Sequence, residues 1–266
     1  MPSDMCLKRE GHGRIAMSVN HPVKFTSYRF QLIAVALLMS VLCVSTNAQV
    51  KPEASIGLLL GFPQGEFKDH VPNLGIGISG MAGIRIPNSP ILIGADLGFL
   101  IYGHEQRREM FSYSIQDVEV RVITSNNIIQ GNLFLRLQPG MGSVRPYFDG
   151  LVGFKYLFTD TEIRNVFGGD DDPIAESINL GDLAFGYGVG FGIAFQVVDR
   201  TQARLDTGEG PIGILIDLRL RYLMGTEADY LKKGDIERED DGSIIYNIQT
   251  SRTDFLMPFV GVSFYF

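Results

Sequence analysis

The segment from residue 183 to 197 constrains the fold most, because large apolar residues alternate strictly with small ones. Every second residue is Leu, Phe, Tyr, Val or Ile, and the residues between them are glycine or alanine until Gln196. A period of two is typical of a β-strand, whose successive side chains point to opposite faces of the sheet. We therefore expect a strand with one bulky apolar face and one face almost without side chains.

The same period recurs along the chain after residue 50, and no segment has a convincing helical repeat. The predicted strands are residues 53–62, 74–86, 91–102, 128–138, 145–159, 183–197, 213–224 and 250–266. Residues 118–124 could extend the fourth strand.

The connections between these strands alternate in length. Short turns at 87–90 and 139–144 alternate with long polar segments at 63–73, 103–127, 160–181 and 225–249. The alternation predicts a short turn between the sixth and seventh strands, but the connection at 199–211 is longer than that. Eight strands with alternating short turns and long loops are typical of a closed up-and-down barrel in a membrane.

Alternation alone does not decide which face points outward, since a soluble calyx also alternates. If the bulky face of residues 183–197 pointed inward, the outer wall of that strand would be mostly glycine and alanine. If it points into lipid, the small residues leave room inside for long polar side chains. We therefore predict an all-β fold, a closed antiparallel eight-stranded up-and-down transmembrane β-barrel.

Strand parity places charged residues on the small-residue face. Unpaired charges in a dry interior would cost several kcal/mol each, so a balanced ion-pair network is expected. The five bases and five acids on that face are Glu53, Arg85, Asp96, Arg136, Asp149, Lys155, Asp182, Asp217, Arg219 and Arg221. The tyrosines that could form interfacial girdles are Tyr102, Tyr113, Tyr147, Tyr156, Tyr187, Tyr222 and Tyr265.

The first 48 residues are predicted to be an N-terminal extension and a cleavable signal peptide. Basic residues precede a short apolar run at 32–44, and small and polar residues end at Ala48, after which cleavage is expected. Residues before about Met17 are interpreted as an upstream extension. Residues 49–266 then form one barrel domain without cysteine.

Removing the leader, with five basic and two acidic residues, changes the net charge from −7 to −10. This acidity argues against a nucleic-acid partner, which requires clustered Lys and Arg.

The last eight residues alternate large and smaller residues and stop on Phe266. This ending resembles the terminal strand of bacterial outer-membrane β-barrel proteins. With the sequence Asn47-Ala48-Gln49 and the segment 61–67, residues 49–266 resemble the small outer-membrane barrels of the OmpA, OmpX and PorT-like types. The resemblance implies an exported protein of the bacterial outer membrane, in contact with its lipid, with Phe266 read by the barrel assembly machinery.

Three functional hypotheses remain open. The first is a non-catalytic barrel with a structural role, or with extracellular ligands bound by residues 103–127, 160–181 and 225–249. The second is a narrow, porin-like solute pore lined by the charged residues. Since an eight-stranded barrel is filled by its own side chains, a packed network is the better expectation.

The third hypothesis is an enzyme that modifies outer-membrane lipid. It would need a nucleophile near a histidine base. His104 with Glu105 and a serine such as Ser112 or Ser114 is a weak candidate without a motif, so we expect no enzyme. No cofactor or metal site is expected, because the acidic stretches 170–172 and 237–241 lack the spacing of a calcium loop.

Overall fold

The computed structural model describes residues 8–10, 14–17, 51–112, 115–165, 175–199, 212–238 and 244–266. Its strands are β1 Lys8–Glu10, β2 Arg14–Met17, β3 Lys51–Gln64, β4 Gly75–Arg85, β5 Ile91–Ser112, β6 Ile115–Leu137, β7 Val144–Asn165, β8 Ala175–Asp199, β9 Gly213–Gly225, β10 Glu227–Tyr230, β11 Ile236–Arg238, β12 Ile244–Asn247, β13 Gln249–Arg252 and β14 Asp254–Tyr265. Among these described residues, one helix, α1, covers Gly65–His70. Within the described ranges, no helix has the length and apolar character that a membrane span requires.

The long strands form one closed antiparallel ring in the order β14-β3-β4-β5-β6-β7-β8-β9. The ring closes through β14, where Val260 lies opposite Leu58 on one side and Leu218 on the other. The prediction of an all-β antiparallel ring of eight strands is confirmed.

The bulky apolar side chains point out of this ring. In β8, Phe191 is 60 % exposed and Leu183 is also 60 % exposed, while Ala184 between such residues is completely buried. Large exposed apolar side chains occur on all eight strands of the ring. A soluble monomer rarely exposes a continuous apolar surface of this kind, whereas lipid accepts it.

Two predicted outer loops are largely strands, so those two predictions were wrong, although the possible extension of the fourth strand at 118–124 is confirmed. β5 continues to Ser112 and β6 begins at Ile115, so most of residues 103–127 extend a hairpin beyond the ring. β7 and β8 also extend, to Asn165 and from Ala175, and residues 166–174 lie outside the described residues. The β-branched residues Val120 and Val122 favour strand and are buried on its inner face.

The predicted strand at 250–266 is two strands rather than one. β13 pairs with β10, whereas β14 joins the ring, and the break falls at Thr253. There the amide of Thr253 donates to the carbonyl of Thr226 (3.3 Å). The predicted loop at 63–73 also contains the helix α1, which the sequence pattern did not indicate. The connection at 199–211 lies, except for Asp199, outside the described residues.

The two short N-terminal strands lie within the predicted leader. β1 and β2 form a small sheet with β12 and β11, in the order β1-β2-β12-β11. The apolar run at 32–44 and Ala48 lie outside the described residues. Cleavage of a signal peptide therefore stays a prediction.

Inward-facing glycines of β8 make room for side chains from neighbouring strands. A Cβ atom at Gly190 would lie 2.6 Å from Cγ of Arg221, and one at Gly192 would collide with the ring of Tyr147. Both contacts are closer than packed carbon atoms tolerate. The glycine face is therefore a packing requirement of the barrel interior.

We expect Gly192→Val to lower the free energy of unfolding by about 1–3 kcal/mol, because the side chain overpacks the interior. Gly150→Val is the matched control, since nothing lies within 4 Å of the position of its Cβ. Urea unfolding of the protein in detergent micelles measures both. Equal stability of the two variants would contradict a tightly packed interior.

Candidate functional site

The centre of the barrel holds a cluster of buried arginine and aspartate side chains. Arg136 and Asp149 are direct cross-strand partners on β6 and β7. Arg136 donates from Nε and Nη2 to the two oxygens of Asp149 at 2.7 and 3.0 Å. Arg221 of β9 also donates to Asp149 Oδ2, at 2.9 Å from Nη2. Asp149 is fully buried, so its charge depends on both guanidinium groups.

Asp96 extends this cluster across the lumen to β5. Arg221 Nη1 donates to Asp96 Oδ2 at 2.5 Å, and Asn132 Nδ2 donates to Oδ1 at 2.9 Å. Arg221 thus joins two carboxylates on different sides of the ring.

A second pair, Asp217 and Arg219, lies on the inner face of β9. Arg219 Nη2 donates to Asp217 Oδ2 at 2.5 Å, and the Tyr147 hydroxyl donates to Asp217 Oδ1. Arg219 Nε also donates to the Tyr147 hydroxyl at 3.1 Å. The guanidinium of Arg136 lies 3.6 Å from the centre of the Tyr147 ring. Tyr147 therefore connects the two parts of the network, and Arg–aromatic stacking adds to the ion pairs.

The end of the barrel with the short turns has its own pair. Arg85 donates to Glu53 from Nε (2.8 Å) and to Gln138 Oε1 from Nη2 (2.6 Å). Nearby, Arg145 Nη2 donates to Gln196 Oε1 at 3.0 Å. These groups close the lumen below the central cluster.

Lys155 does not take part in the balanced pairing that strand parity predicts. Its ammonium donates to main-chain carbonyls, those of Thr253 and Leu223, and lies 5.4 Å from the centre of the Phe255 ring. The Lys155 side chain points inward as predicted, but its acceptors are the carbonyl of Thr253, at the β13–β14 break, and that of Leu223 in β9.

Asp182 lies apart from the network, which corrects its predicted place there. Its carboxylate accepts hydrogen bonds from the amides of Leu183 and Asp229, both at 2.8 Å. It is only partly buried, at the upper rim. Parity indicates the face of the strand but not the height of a residue along it.

Strand parity could have identified Tyr147, which lies two residues before Asp149 and so on the same face. It was predicted for an interfacial girdle, and so was Tyr102, but both are buried inside. Further interior polar residues that were missed include Asn132, Gln138, Arg145, Ser55 and Ser263.

The opposite end of the barrel is closed by apolar side chains. Phe67 of α1 is fully buried, with its ring centre 4.7 Å from that of Tyr230 and 5.1 Å from that of Phe255. His70 Nδ1 lies 2.8 Å from the Tyr230 hydroxyl, which is also 2.8 Å from Ser251 Oγ. Burial raises the pKa of Tyr230. The helix therefore covers the mouth of the ring.

The extended parts of β5, β6, β7 and β8 form a wall beside this mouth. The Tyr102 hydroxyl donates to the carbonyl of Leu231 (3.2 Å), and Arg107 Nη1 donates to that of Ile236 (2.8 Å). Leu231, Ile236 and Tyr246 pack together as a small apolar cluster. Most of the predicted loop 225–249 is thus folded against the inner side of the wall.

Asp160 lies on this wall, and its surroundings raise the pKa of its carboxyl group. Burial, followed by the charges of Glu162 and Glu176, raises the pKa of Asp160 to about 6 from 3.8. Because the folded protein binds this proton more tightly than the unfolded chain does, Asp160 stabilises the fold most below about pH 4. This stabilisation is lost as the pH rises through 6.

The constellation considered for lipid chemistry does not assemble within the described residues. His104 Nδ1 lies 3.4 Å from Ser125 Oγ, while Glu105 accepts a hydrogen bond from the amide of Gly234 (3.0 Å). The side chain of Ser112 and all of Ser114 lie outside the described residues. Phe266 lies at the other end of the barrel, where its amide donates to the carbonyl of Pro52 (3.0 Å).

Sequence comparison places this architecture among known proteins. The family model described as "Outer membrane protein beta-barrel domain" matches residues 34–236. No curated protein matches the chain.

Three solved structures are similar over most of the chain. Neisserial surface protein A (NspA) is 12 % identical, with 83 % of this chain and 99 % of that chain covered and a TM-score of 0.33. Ail, the attachment invasion locus protein of Yersinia pestis, solved with the heparin analogue sucrose octasulfate, is 13 % identical (82 % and 100 % covered, TM-score 0.33). A major outer membrane protein from Thermus thermophilus is 12 % identical (82 % and 100 % covered, TM-score 0.37). Because the identities and TM-scores are this low, these similarities do not indicate a function for this chain.

We expect Asp149→Asn to lower the free energy of unfolding by about 3–5 kcal/mol, because Arg136 and Arg221 then lose a buried carboxylate. Asp182→Asn is the matched control at the rim and should change stability by less than about 1 kcal/mol. Thermal or urea unfolding in micelles compares the two. The account of the interior is wrong if Asp149→Asn is as stable as Asp182→Asn.

Proposed function

The chain belongs to the outer membrane protein β-barrel domain family, and from this premise we propose that it is an integral, non-catalytic protein of the bacterial outer membrane. Its lumen is sealed by an ion-pair network, and its extracellular wall and mouth bind a ligand or support the membrane structurally. The chain reaches the outer membrane by export, and its signal peptide is cleaved after Ala48. The barrel assembly machinery then inserts the barrel into the membrane.

The contrast between the two faces of the ring carries this proposal. Exposed large apolar side chains cover the outside of all eight strands, whereas the charged residues Asp96, Arg136, Asp149, Asp217 and Arg219 are each at most 4 % exposed. Outward apolar side chains suit acyl chains, and charges are admissible inside only when they are paired.

The filled lumen favours a structural or binding role over a solute pore. Arg221 and its two carboxylate partners cross the lumen from β9 to β5 and β7. The apolar cluster with Phe67 closes the lumen a second time above them. A solute would have to displace both layers, and an eight-stranded barrel has no spare width for this.

The ordered wall and mouth favour a role in ligand binding over a purely structural role. The inner side of the wall holds the segment of residues 231–236 through the hydrogen bonds of Tyr102, Glu105 and Arg107. A surface ordered in this way loses less conformational entropy when it binds a ligand than flexible loops would lose. His104 Nδ1 lies 3.4 Å from Ser125 Oγ, but Glu105 accepts from the amide of Gly234, so the triad of the enzyme hypothesis does not assemble within the described residues.

Planar-bilayer recording of the purified protein tests the sealed lumen, after outer-membrane fractionation and heat-modifiable gel migration have verified insertion. We expect no discrete conductance steps from the wild type. Phe67→Ala should also be silent, because the charged layer below the helix still blocks the lumen.

Stable conductance steps from the wild type would contradict the sealed barrel and favour the narrow pore. Recovery of the protein as a soluble monomer without detergent would contradict the membrane location itself. A large porin in the same bilayer provides the positive control.

A further inference from the structure

The hairpin of β11 and β12, beside the mouth, pairs with a third strand along one edge. Ile245 of β12 lies opposite Glu237 of β11 on one side and opposite Ala16 of β2 on the other. All four residues of β12 have a partner in β2, so the contact uses the full length of the strand. The sheet order β1-β2-β12-β11 therefore places residues of the predicted leader on the edge of β12 that faces away from β11.

The barrel anchors this hairpin independently of β2. The carbonyl of Ile236 in β11 accepts a hydrogen bond from Arg107 of the wall at 2.8 Å. The amide of Asn247 in β12 donates to the carbonyl of Asp235 at 2.9 Å. The buried Tyr246 packs with Ile236 in the apolar cluster beside the wall. The hairpin is therefore expected to keep its place when β2 is absent.

The edge of β12 lacks the features by which proteins protect an exposed strand edge. Residues 244–247, Ile-Ile-Tyr-Asn, contain no charged residue and no proline, and β-branched and aromatic residues favour strand pairing. The wall strand β5 differs. Among the described residues it pairs only with β6 above Ile101, and it carries four charged residues at 105–109. Because charged side chains discourage further pairing, β12 is better suited than β5 to accept another strand.

Removal of the leader leaves this edge of β12 without its partner. Cleavage after Ala48, as proposed above, removes both β1 and β2, whereas β11 and β12 belong to the mature barrel. An unpaired edge presents a row of main-chain N–H and C=O groups, to which an extended peptide can add as a further strand. The register of residues 14–17 against β12 is the one that such a peptide would use.

The charges of the two segments indicate which peptides suit this edge. The hairpin carries four acidic residues and one basic residue at 237–241. Residues 8–17 carry three basic residues and one acidic residue. Complementary charges guide the correct partner to a surface, and like charges disfavour wrong ones. A second copy of this chain is a poor occupant, because it would bring the same acidic stretch to the contact.

We propose that the mature protein binds a basic, extended peptide segment of a partner protein by strand addition to β12. The peptide takes the place of β2 and lies antiparallel to β12. Main-chain hydrogen bonds supply the affinity, and the acidic hairpin selects for lysine and arginine. This deepens the binding role proposed for the wall and mouth, and it rests on the proposed removal of the leader.

The first experiment measures peptide binding to the protein purified in micelles from outer membranes, after N-terminal sequencing has verified that residues 1–48 are absent. The probe is a fluorescently labelled peptide of residues 8–17, and fluorescence anisotropy reports its binding. A control peptide carries Ile15→Pro and Ala16→Pro. Successive N–H groups of a strand point to opposite edges, so this pair removes the donor toward β12 and leaves the charge unchanged.

A second control peptide carries Lys8→Gln, Arg9→Gln and Arg14→Gln. We expect both control peptides to bind at least about tenfold more weakly than the unchanged peptide, because one cannot complete the pairing and the other lacks the complementary charge. Equal binding of the double-proline peptide, or no binding of the unchanged peptide, overturns the proposal.

A disulfide cross-link tests the register, since the mature chain has no cysteine of its own. Directly opposite residues of antiparallel strands lie close enough for a disulfide. The peptide with Ala16→Cys should therefore cross-link to Ile245→Cys. Thr250→Cys, at an exposed position of β13, is the matched control and should not react. Heat-modifiable migration verifies that both variants are folded.

The remaining outcomes separate this inference from the proposed function. Equal cross-linking at positions 245 and 250 overturns strand addition to β12. A dimer joined through Ile245→Cys in the absence of peptide overturns it in favour of a second copy. If sequencing finds residues 8–17 retained, the chain itself occupies the edge, and both this inference and signal-peptide cleavage fail. Failed binding by a cleaved protein in the outer membrane refutes this inference alone.

Discussion

Arginine and aspartate side chains inside a ring of eight strands have to neutralise one another, because little water reaches them. Asp149 meets this requirement by accepting from Arg136 and Arg221, and Arg221 also reaches Asp96. The bonds of Arg221 run across the lumen, so they join β9 to β5 and β7, which are not its neighbours in the sheet. The long side chain of Arg221 fits because β8 contributes glycine, since a Cβ at Gly190 would lie 2.6 Å from its Cγ. The glycine face and the charged interior therefore depend on each other.

The ring and its orientation could be predicted from the sequence because each follows from local rules. A period of two in β8 indicates a strand, and the contrast between Phe191 and Gly192 indicates which face is outside. The partners within the interior could not be predicted in the same way. Parity places Lys155 and Asp182 on the inner face, yet one binds main-chain carbonyls and the other lies at the rim. These outcomes depend on height along the barrel, which is set by the register between strands.

Apart from residues 118–124, the strand extensions above the ring were missed for a different reason. Residues 103–127 contain many charged and polar side chains, a composition typical of loops. Their inner face is nevertheless buried at Val120 and Val122, and the same wall binds the segment over the mouth through Arg107 and the carbonyl of Ile236. The bulge after Ile101 has no sequence signal of its own. It nevertheless determines that Arg108 faces outward and Arg107 inward.

The central claim is that Phe191 contacts acyl chains while Phe134 lies in a sealed interior beside Arg136. The chain contains no tryptophan, so a single introduced indole reports its own surroundings without background. The most direct measurement is the fluorescence of Phe191→Trp and Phe134→Trp in bilayers whose acyl chains carry bromine. The account predicts strong quenching of the indole at position 191 and little quenching at position 134. Strong quenching at 134 with an unquenched indole at 191 would contradict it.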